Sequence, residues 1–275
     1  MSLKLIRWRR RIDWLFDPQM FLAAFQICQW SDSVLNERVC PLARHLPPSE
    51  LQRVASLKHD VDKARSVLGH LLLRRCVQSV SSRLWVDIVL VRDPESNRPF
   101  VKGLDVDANM SHDGAWVVSG SIVSGKIGVD VVQVKVPGYC VDTDDFLAGL
   151  EKQMGLREWR DLVETTDCAK KLWKVYVYWA LKEAYLKAAG RGIVGAADMA
   201  TLEFRFDIDT EPRGYLVRDV KLFIGEEKVQ GWEFFVVALD NVHLVAVAHQ
   251  SKTAKPTPTP QIVDFDWIRQ GLPPN

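Results

Sequence analysis

This sequence has almost no excess of either charge. Its 36 lysines and arginines stand against 35 aspartates and glutamates, a formal net charge of +1. No global field therefore draws the chain to nucleic acid or to an acidic membrane surface, and any anion site has to be local. Long apolar runs are missing too: nothing in the chain is long enough to span a bilayer, and its start lacks the apolar core of a secretory signal. Arg7, Arg9, Arg10 and Arg11 give it a basic beginning, but Asp13 and Asp17 follow closely and no serine-rich stretch goes with them. The cytosol is the expected compartment and the mitochondrion the alternative. Cysteine is sparse and scattered, with Cys28, Cys40, Cys76, Cys140 and Cys168 forming no C-x-x-C pair, which argues for reduced thiols rather than a disulfide scaffold or a zinc site. There is no G-x-x-x-x-G-K-[ST] loop, no G-x-G-x-x-G after a strand and no G-x-S-x-G elbow, so P-loop, Rossmann and serine-hydrolase chemistry have no support.

What the chain does have is material for a core: 47% of its 275 residues are hydrophobic, enough for one large domain or two of ordinary size. Pro47-Pro48-Ser49-Glu50 opens a short helix. Asp60 or Asp62 starts a longer one, whose apolar positions Ala64, Val67, Leu68, Leu71 and Leu72 keep the helical period as far as Ser81 or Ser82. Val86, Ile88 and Leu90 read as a strand, Asp93 to Asn97 as a turn, and Arg98 to Val101, Ala115 to Val123 and Ile127 to Val134 as further strands. The second half repeats the order. Helices are expected at Thr143 to Leu150, Arg157 to Val163 and Cys168 to Ala189, then strands at Leu202 to Phe206, Tyr215 to Ile224, Trp232 to Leu239 and Val242 to His249. Helix followed by strands, twice over, implies an α+β fold. It predicts two similar subdomains, each a helix packed on an antiparallel sheet, related by a pseudo-twofold with the active site in the cleft between them. The expected division is 1–125, 126–250 and a Pro-rich flexible tail at 251–275 with at most a short docked piece around Phe265 to Ile268.

Three stretches carry polar chemistry. In WALKEAYLKAAGRG, Trp179, Glu183 and Lys187 recur every four residues and share one helix face; taken alone, the Glu–Lys pair is also the commonest surface pair on a helix. In the strand KIGVDVVQV, Asp130 interrupts an apolar run, and a carboxylate there needs an ion-pair partner or a cation. Asp130 with Glu183 suits Mg²⁺, which keeps several waters and takes few carboxylates, better than zinc, since no Cys or His is grouped with them. Asn109-Met110-Ser111-His112-Asp113-Gly114 is expected as a loop whose hydroxyl, imidazole and backbone N–H groups form a phosphate nest. Arg53, Arg92 and Arg98 are further cationic candidates.

Together, Ser111-His112, Gly128-Val129-Asp130 and the pattern Trp179, Lys182, Glu183, Ala184, Lys187 resemble the phosphopantetheinyl transferases of the Sfp type, with the animal branch as the nearest match. The weaker likeness runs from about Pro48 to Phe206. The resemblance implies a two-subdomain pseudo-dimer and a coenzyme A and Mg²⁺ site in its cleft. It also implies transfer of phosphopantetheine to a serine of an apo carrier protein, with adenosine 3′,5′-bisphosphate leaving. Carrier domains of fatty acid synthase, of polyketide and nonribosomal synthases and of an aminoadipate-type reductase are the implied partners; nucleic acid and membrane are not, and a monomer is expected. By the same resemblance Asp130 and Glu183 hold Mg²⁺, Lys187 contacts the pyrophosphate, and Ser111 with His112 helps hold the nucleotide phosphates. Arg53, Arg92 and Arg98 match coenzyme-binding positions, and Asp130, Glu183 and Lys187 carry the catalysis. The chain departs from many bacterial members at Val132, where they place a third acid, and at Ala108, where relatives often have an aromatic. Two other readings are a non-catalytic module that binds coenzyme A or a carrier protein, and a purely structural domain.

Overall fold

In the computed structural model, which describes residues 19–27, 32–94, 98–191, 196–206, 216–217, 219–251 and 260–273, the first half opens with strand β1 (Met20–Gln26). Helices α1 (Asp32–Ala43), α2 (Pro48–Ala55) and α3 (Asp60–Ser81) follow, then β2 (Leu90–Arg92), β3 (Pro99–Val101), β4 (Val106–Asp113) and β5 (Trp116–Val123). The second half runs through β6 (Gly125–Gln133), α4 (Thr143–Leu150), α5 (Leu156–Glu164), α6 (Cys168–Ala189) and α7 (Ala196–Thr201). It continues with β7 (Leu202–Arg205), β8 (Leu216–Val217), β9 (Lys221–Ile224), β10 (Glu227–Lys228), β11 (Glu233–Ala238) and β12 (His243–Ser251). The described chain ends with β13 (Gln261–Val263) and α8 (Phe265–Arg269).

α3 and α6 are each 22 residues long, and local chemistry sets their ends. Asp60 and Asp62 occupy the first turn of α3, where carboxylates meet the positive end of the helix dipole. The helix closes on Ser82, in the left-handed region, whose N–H returns to the Gln78 carbonyl. α6 starts under Asp167, whose side chain accepts from the Lys170 N–H. It stops at Gly190 with φ 70°, a conformation that suits a residue without Cβ.

One sheet has the order β13-β1-β5-β4 and another β6-β12-β11-β8; smaller ones are β10-β9-β7 and β2-β3. Among the described residues all pairings are antiparallel except β1 with β13. The two four-stranded sheets face each other across a layer of Met20, Leu22, Ala24, Trp116, Val118 and Ile122 on one side and Ile127, Val129, Val131, Phe235, Val245 and Val247 on the other. α3 covers the outer face of the first sheet through Val67, Leu68, Leu71 and Leu72. α6 covers the outer face of the second through Val177, Ala180, Leu181, Ala184 and Ala188. The order is helix, sheet, sheet, helix.

Side chains, not a backbone ladder, join the two halves along one edge. β6 pairs with β12 on one side. Along its other edge the Ile127 N–H donates to Asp107 Oδ2 (2.8 Å), the Val129 N–H to Asn109 Oδ1 (3.0 Å) and the Gln133 N–H to Asp113 Oδ2 (2.7 Å). Each rung links residues 20 apart in sequence. β4 thus supplies acceptors from three positions on one face, Asp107, Asn109 and Asp113, to an edge that would otherwise leave donors unmet.

Several expectations change. The single strand expected over 215–224 is two, β8 paired with β11 and β9 paired with β7 and β10, and Tyr215 lies outside the described residues. Val86 lies in a turn of 3₁₀ helix (Trp85–Asp87) and the strand begins only at Leu90. Asn109 to Asp113 is not a loop: these residues pair with Gly120 to Trp116 of β5. Their backbone is committed to a sheet, so the phosphate-nest reading falls. Within 251–275, residues 252–259 lie outside the described residues, while β13 and α8 dock on the first half with Phe265 and Ile268 buried. The docked piece is thus longer than expected, because the β1 edge offers a backbone partner ahead of the apolar turn. The basic residues Arg7 to Arg11 and Cys28 also lie outside the described residues.

Candidate transfer site

The site begins with Gly128. A Cβ there would stand 1.9 Å from the Ala184 carbonyl oxygen and 2.6 Å from the Ala188 nitrogen. Only glycine on β6, facing alanines one turn apart on α6, lets the helix lie this close to the strand. The close approach brings Lys187 over the next residues of β6. Its Nζ donates to Asp130 Oδ1 (2.5 Å), to the Val129 carbonyl (3.3 Å) and to Ser111 Oγ (3.1 Å), while the Ser111 hydroxyl donates to Asp130 Oδ1 (3.0 Å). A hydroxyl from the first half and an ammonium from the second therefore converge on one carboxylate oxygen.

Asp130 is 6% exposed, and its second oxygen, Oδ2, is buried with no hydrogen-bond partner. Burial pushes its carboxyl pKa above the ordinary range, with Lys187 and Ser111 pulling the other way. Glu183, one turn before Lys187 and half-buried, is raised as well, by burial first and then by the negative charge of Asp130, against Lys187. The two carboxylates feel each other, and an unmet oxygen lies between hydrogen-bonding demand and low dielectric. That is an environment a divalent cation relieves, so Asp130 and Glu183 fit Mg²⁺. Val132 is buried and supplies no third acid. Among the described residues no group of three His, Cys, Asp or Glu side chains converges in the manner of a complete protein metal cage.

His112 stands next to Ser111 on β4 with part of its ring exposed. Its pKa is lowered by desolvation and by the cations Arg65 and Lys187, against Asp62 and Asp113. Arg65, which sequence reasoning passed over, reaches from α3 to the Gly114 carbonyl (2.5 Å) and to Asp62 (3.1 Å). Arg53 on α2 and Arg92 at the end of β2 form a second cationic grouping. The Arg92 pKa is lowered by burial and then by the charge of Arg53, so the two guanidiniums are close enough to repel. Beneath them Glu50 is bound through both oxygens to Arg74 (2.7 and 2.8 Å). His70, buried among these groups, is pushed down to about 4, by burial above all. Arg98 is placed differently: its Nη2 donates to Asp107 Oδ2 (2.6 Å) and to the Ile127 carbonyl (2.8 Å), stitching β3 to the junction of β4 and β6. The structure thus brings Ser111, Asp130 and Lys187 into contact, with Glu183 and His112 beside them. Arg53 and Arg92 stand together on the first half, and Arg98 is tied into the framework. Sequence reasoning missed the rungs Asp107, Asn109 and Asp113, whose period of two on β4 was the available signal.

Two family models match. One described as 4′-phosphopantetheinyl transferase, N-terminal, covers residues 29–124, and one described as the 4′-phosphopantetheinyl transferase superfamily covers residues 126–248. An L-aminoadipate-semialdehyde dehydrogenase-phosphopantetheinyl transferase from Xenopus laevis is 28% identical over 231 residues, 82% of this chain and 74% of the relative. A holo-[acyl-carrier-protein] synthase of Helicobacter pylori, solved with coenzyme A, aligns at a TM-score of 0.30 and 21% identity over 38% of this chain and 99% of that one. A phosphopantetheinyl transferase from Thraustochytrium sp. is 30% identical over 231 residues, 82% of this chain and 76% of the relative. Identity at that level over most of both chains marks common descent: the chain belongs to the phosphopantetheinyl transferases.

Proposed function

We propose that this chain moves the phosphopantetheine group of coenzyme A onto a serine of apo acyl and peptidyl carrier proteins, with Asp130, Glu183 and Lys187 as its catalytic residues. The observation that carries the reading is the convergence of Ser111 from one half and Lys187 from the other on buried Asp130, with Glu183 one helical turn away. In the reaction the carrier serine oxygen bonds to the β-phosphorus of coenzyme A and the bond from that phosphorus to the bridging oxygen breaks. Adenosine 3′,5′-bisphosphate leaves with the bond's electron pair. Glu183, directly or through a water, accepts the serine proton; in the metal-free site burial raises its pKa above the ordinary carboxylate value. Lys187, already poised by Asp130 and Ser111, places positive charge where the pyrophosphate oxygens gain negative charge. Asp130 and Glu183 would hold Mg²⁺, which when bound supplies further positive charge to those oxygens.

Arg53 and Arg92, crowded over a Glu50 that Arg74 already engages, suit a phosphate group of the coenzyme. Ser111 and His112 complete the phosphate-binding side. Arg98 contributes by fixing β4 to β6, the role its two bonds support. A division near residue 125 is supported by the two family matches, which meet there. A long helix on a four-stranded sheet in each half supports a pseudo-twofold with the site in the cleft. Carrier domains of the fatty acid, polyketide, nonribosomal peptide and aminoadipate systems are the proposed acceptors, and a monomer the proposed form, since one chain supplies both sides of the site.

The test is the intact mass of a purified apo acyl carrier protein after incubation with this protein, coenzyme A and Mg²⁺. The expected result is a gain of one phosphopantetheine group that is lost in EDTA and in Glu183→Gln. No gain with several unrelated carriers would replace the proposal with a binding role.

A further inference from the structure

Asn109 is 5% exposed on β4, and its Oδ1 accepts from the Val129 N–H at 3.0 Å. At the other end of the same residue the Val129 carbonyl accepts from Lys187 Nζ at 3.3 Å. The residue before Asp130 is therefore held from both sides, by the first half at its N–H and by α6 at its carbonyl. Pairing with β12 fixes β6 within its own sheet but does not set its distance from β4; the side-chain rungs do. Flanking rungs at Asp107 and Asp113 hold Ile127 and Gln133. Ser111, between the rungs of Asn109 and Asp113, turns instead to Asp130. Asn109 is thus the rung nearest the point where Asp130, Ser111 and Lys187 meet. Its partner across the first sheet, Gly120, marks the same close approach: a Cβ there would come within 2.9 Å of the Ile127 side chain and 3.1 Å of the Val129 side chain.

We propose that Asn109 is a positioning residue for the transfer: by holding the Val129 N–H it sets the Val129–Asp130 backbone against β4, so that Asp130 meets Ser111 and Lys187. The proposal rests on the role given above to Asp130. Asn109 reaches Asp130 through Val129, to whose N–H its side chain bonds. A carboxylate does the same work at rungs 107 and 113, so an acceptor oxygen, not an amide, is what the position requires.

The experiment compares wild type, Asn109→Ala, Asn109→Asp and Asp130→Ala in steady-state transfer to an apo acyl carrier protein. Thermal unfolding of each, and Mn²⁺ binding with coenzyme A present and no acceptor, are measured alongside. Expected for Asn109→Ala is a kcat lower by about tenfold or more, in line with losing a partner that orients a metal ligand, and Mn²⁺ binding weakened to a similar degree. KM for coenzyme A should stay within about twofold, since the arginine grouping is untouched. Asn109→Asp, which keeps the acceptor, should recover most of both losses. A kcat for Asn109→Ala within about twofold of wild type would overturn the proposal. So would equal losses in the Ala and Asp variants that simply track their unfolding temperatures. Transfer that survives in Asp130→Ala would instead remove the role of Asp130, and with it the reading on which this proposal depends.

Discussion

At the scale of single residues, the proposed site turns on two carboxylates, Asp130 buried and Glu183 half-buried, whose charge is incompletely hydrated. Burial is the largest influence on Glu183 and the charge of Asp130 the next, both raising its pKa, while Lys187 opposes them. The sign follows from the role. Glu183 accepts a proton only as a carboxylate, and a raised pKa means that this form is lost, as pH falls, earlier than for an ordinary glutamate at 4.5. In ¹³C-glutamate-labelled, magnesium-free protein, Glu183 is expected to titrate with a midpoint above 4.5. In Asp130→Asn the midpoint should move down, because the repelling charge is gone and Lys187 loses its other carboxylate. A wild-type midpoint at or below the ordinary value would remove the electrostatic basis for assigning the proton to Glu183. Both acids stand out in the sequence, Asp130 because it breaks an apolar strand and Glu183 because it shares a helix face with Lys187. The unmet Oδ2 and the Ser111 contact do not, since they depend on how two distant strands lie together.

At the scale of elements, α6 was legible and β4 was not, for opposite reasons. The caps of α6, Asp167 and Gly190, and its run of helix formers are local signals, and the helix spans the residues the sequence indicated. β4 has Val106, Ala108 and Met110 on one face and Asp107, Asn109, Ser111 and Asp113 on the other. A polar face of this kind, next to Gly114, resembles a loop until β6 is seen to need its acceptors. α6 also depends on a contact that no periodicity reveals. Lys182, adjacent to Glu183, is fully buried and uses its three donors on Glu158 (2.6 Å), the Gln153 carbonyl (2.8 Å) and the Met199 carbonyl (2.9 Å). Glu158, equally buried, also accepts from the Gly155 and Phe204 N–H groups. The pair ties α5 and the stretch before β7 to the middle of α6. Lys182→Met leaves a buried carboxylate without its counter-charge and is expected to cost about 3–5 kcal/mol in urea unfolding. Adding Glu158→Gln removes the stranded charge, keeps an acceptor and should recover part of that loss. A single-variant cost below about 1 kcal/mol would show that the pair does not anchor the helix.

At the scale of the whole molecule, the chain does not finish where its second half finishes. After β12 it returns to the first half, where β13 pairs in parallel with β1 on the edge of the sheet opposite β4. Ile268 is fully buried and Phe265 nearly so. The Phe265 ring meets Phe25 edge-on at 4.9 Å, and the Arg75 guanidinium lies over Trp267 at 4.5 Å while its Nε donates to the Trp267 carbonyl. The sequence indicates a short docked piece around Phe265 to Ile268, where apolar residues reappear, but not the β13 pairing ahead of it, which depends on the distant edge of β1. The arrangement separates stability from chemistry. Ile268→Ala is expected to lower unfolding free energy by about 2–5 kcal/mol. Truncation before Gln261 should cost more and promote aggregation, because it removes β13 from β1 and leaves that strand edge open. Transfer activity per folded molecule in Ile268→Ala should nevertheless stay close to wild type, because Ser111 lies on β4, two strands away from β1 in that sheet, and its contacts Asp130 and Lys187 lie on β6 and α6. Urea unfolding alongside the carrier-protein assay decides it. An Ile268→Ala protein as stable as wild type would mean that the return merely rests on the first half. A loss of rate at full folding would mean that the sheet transmits strain from its β13 edge to the site.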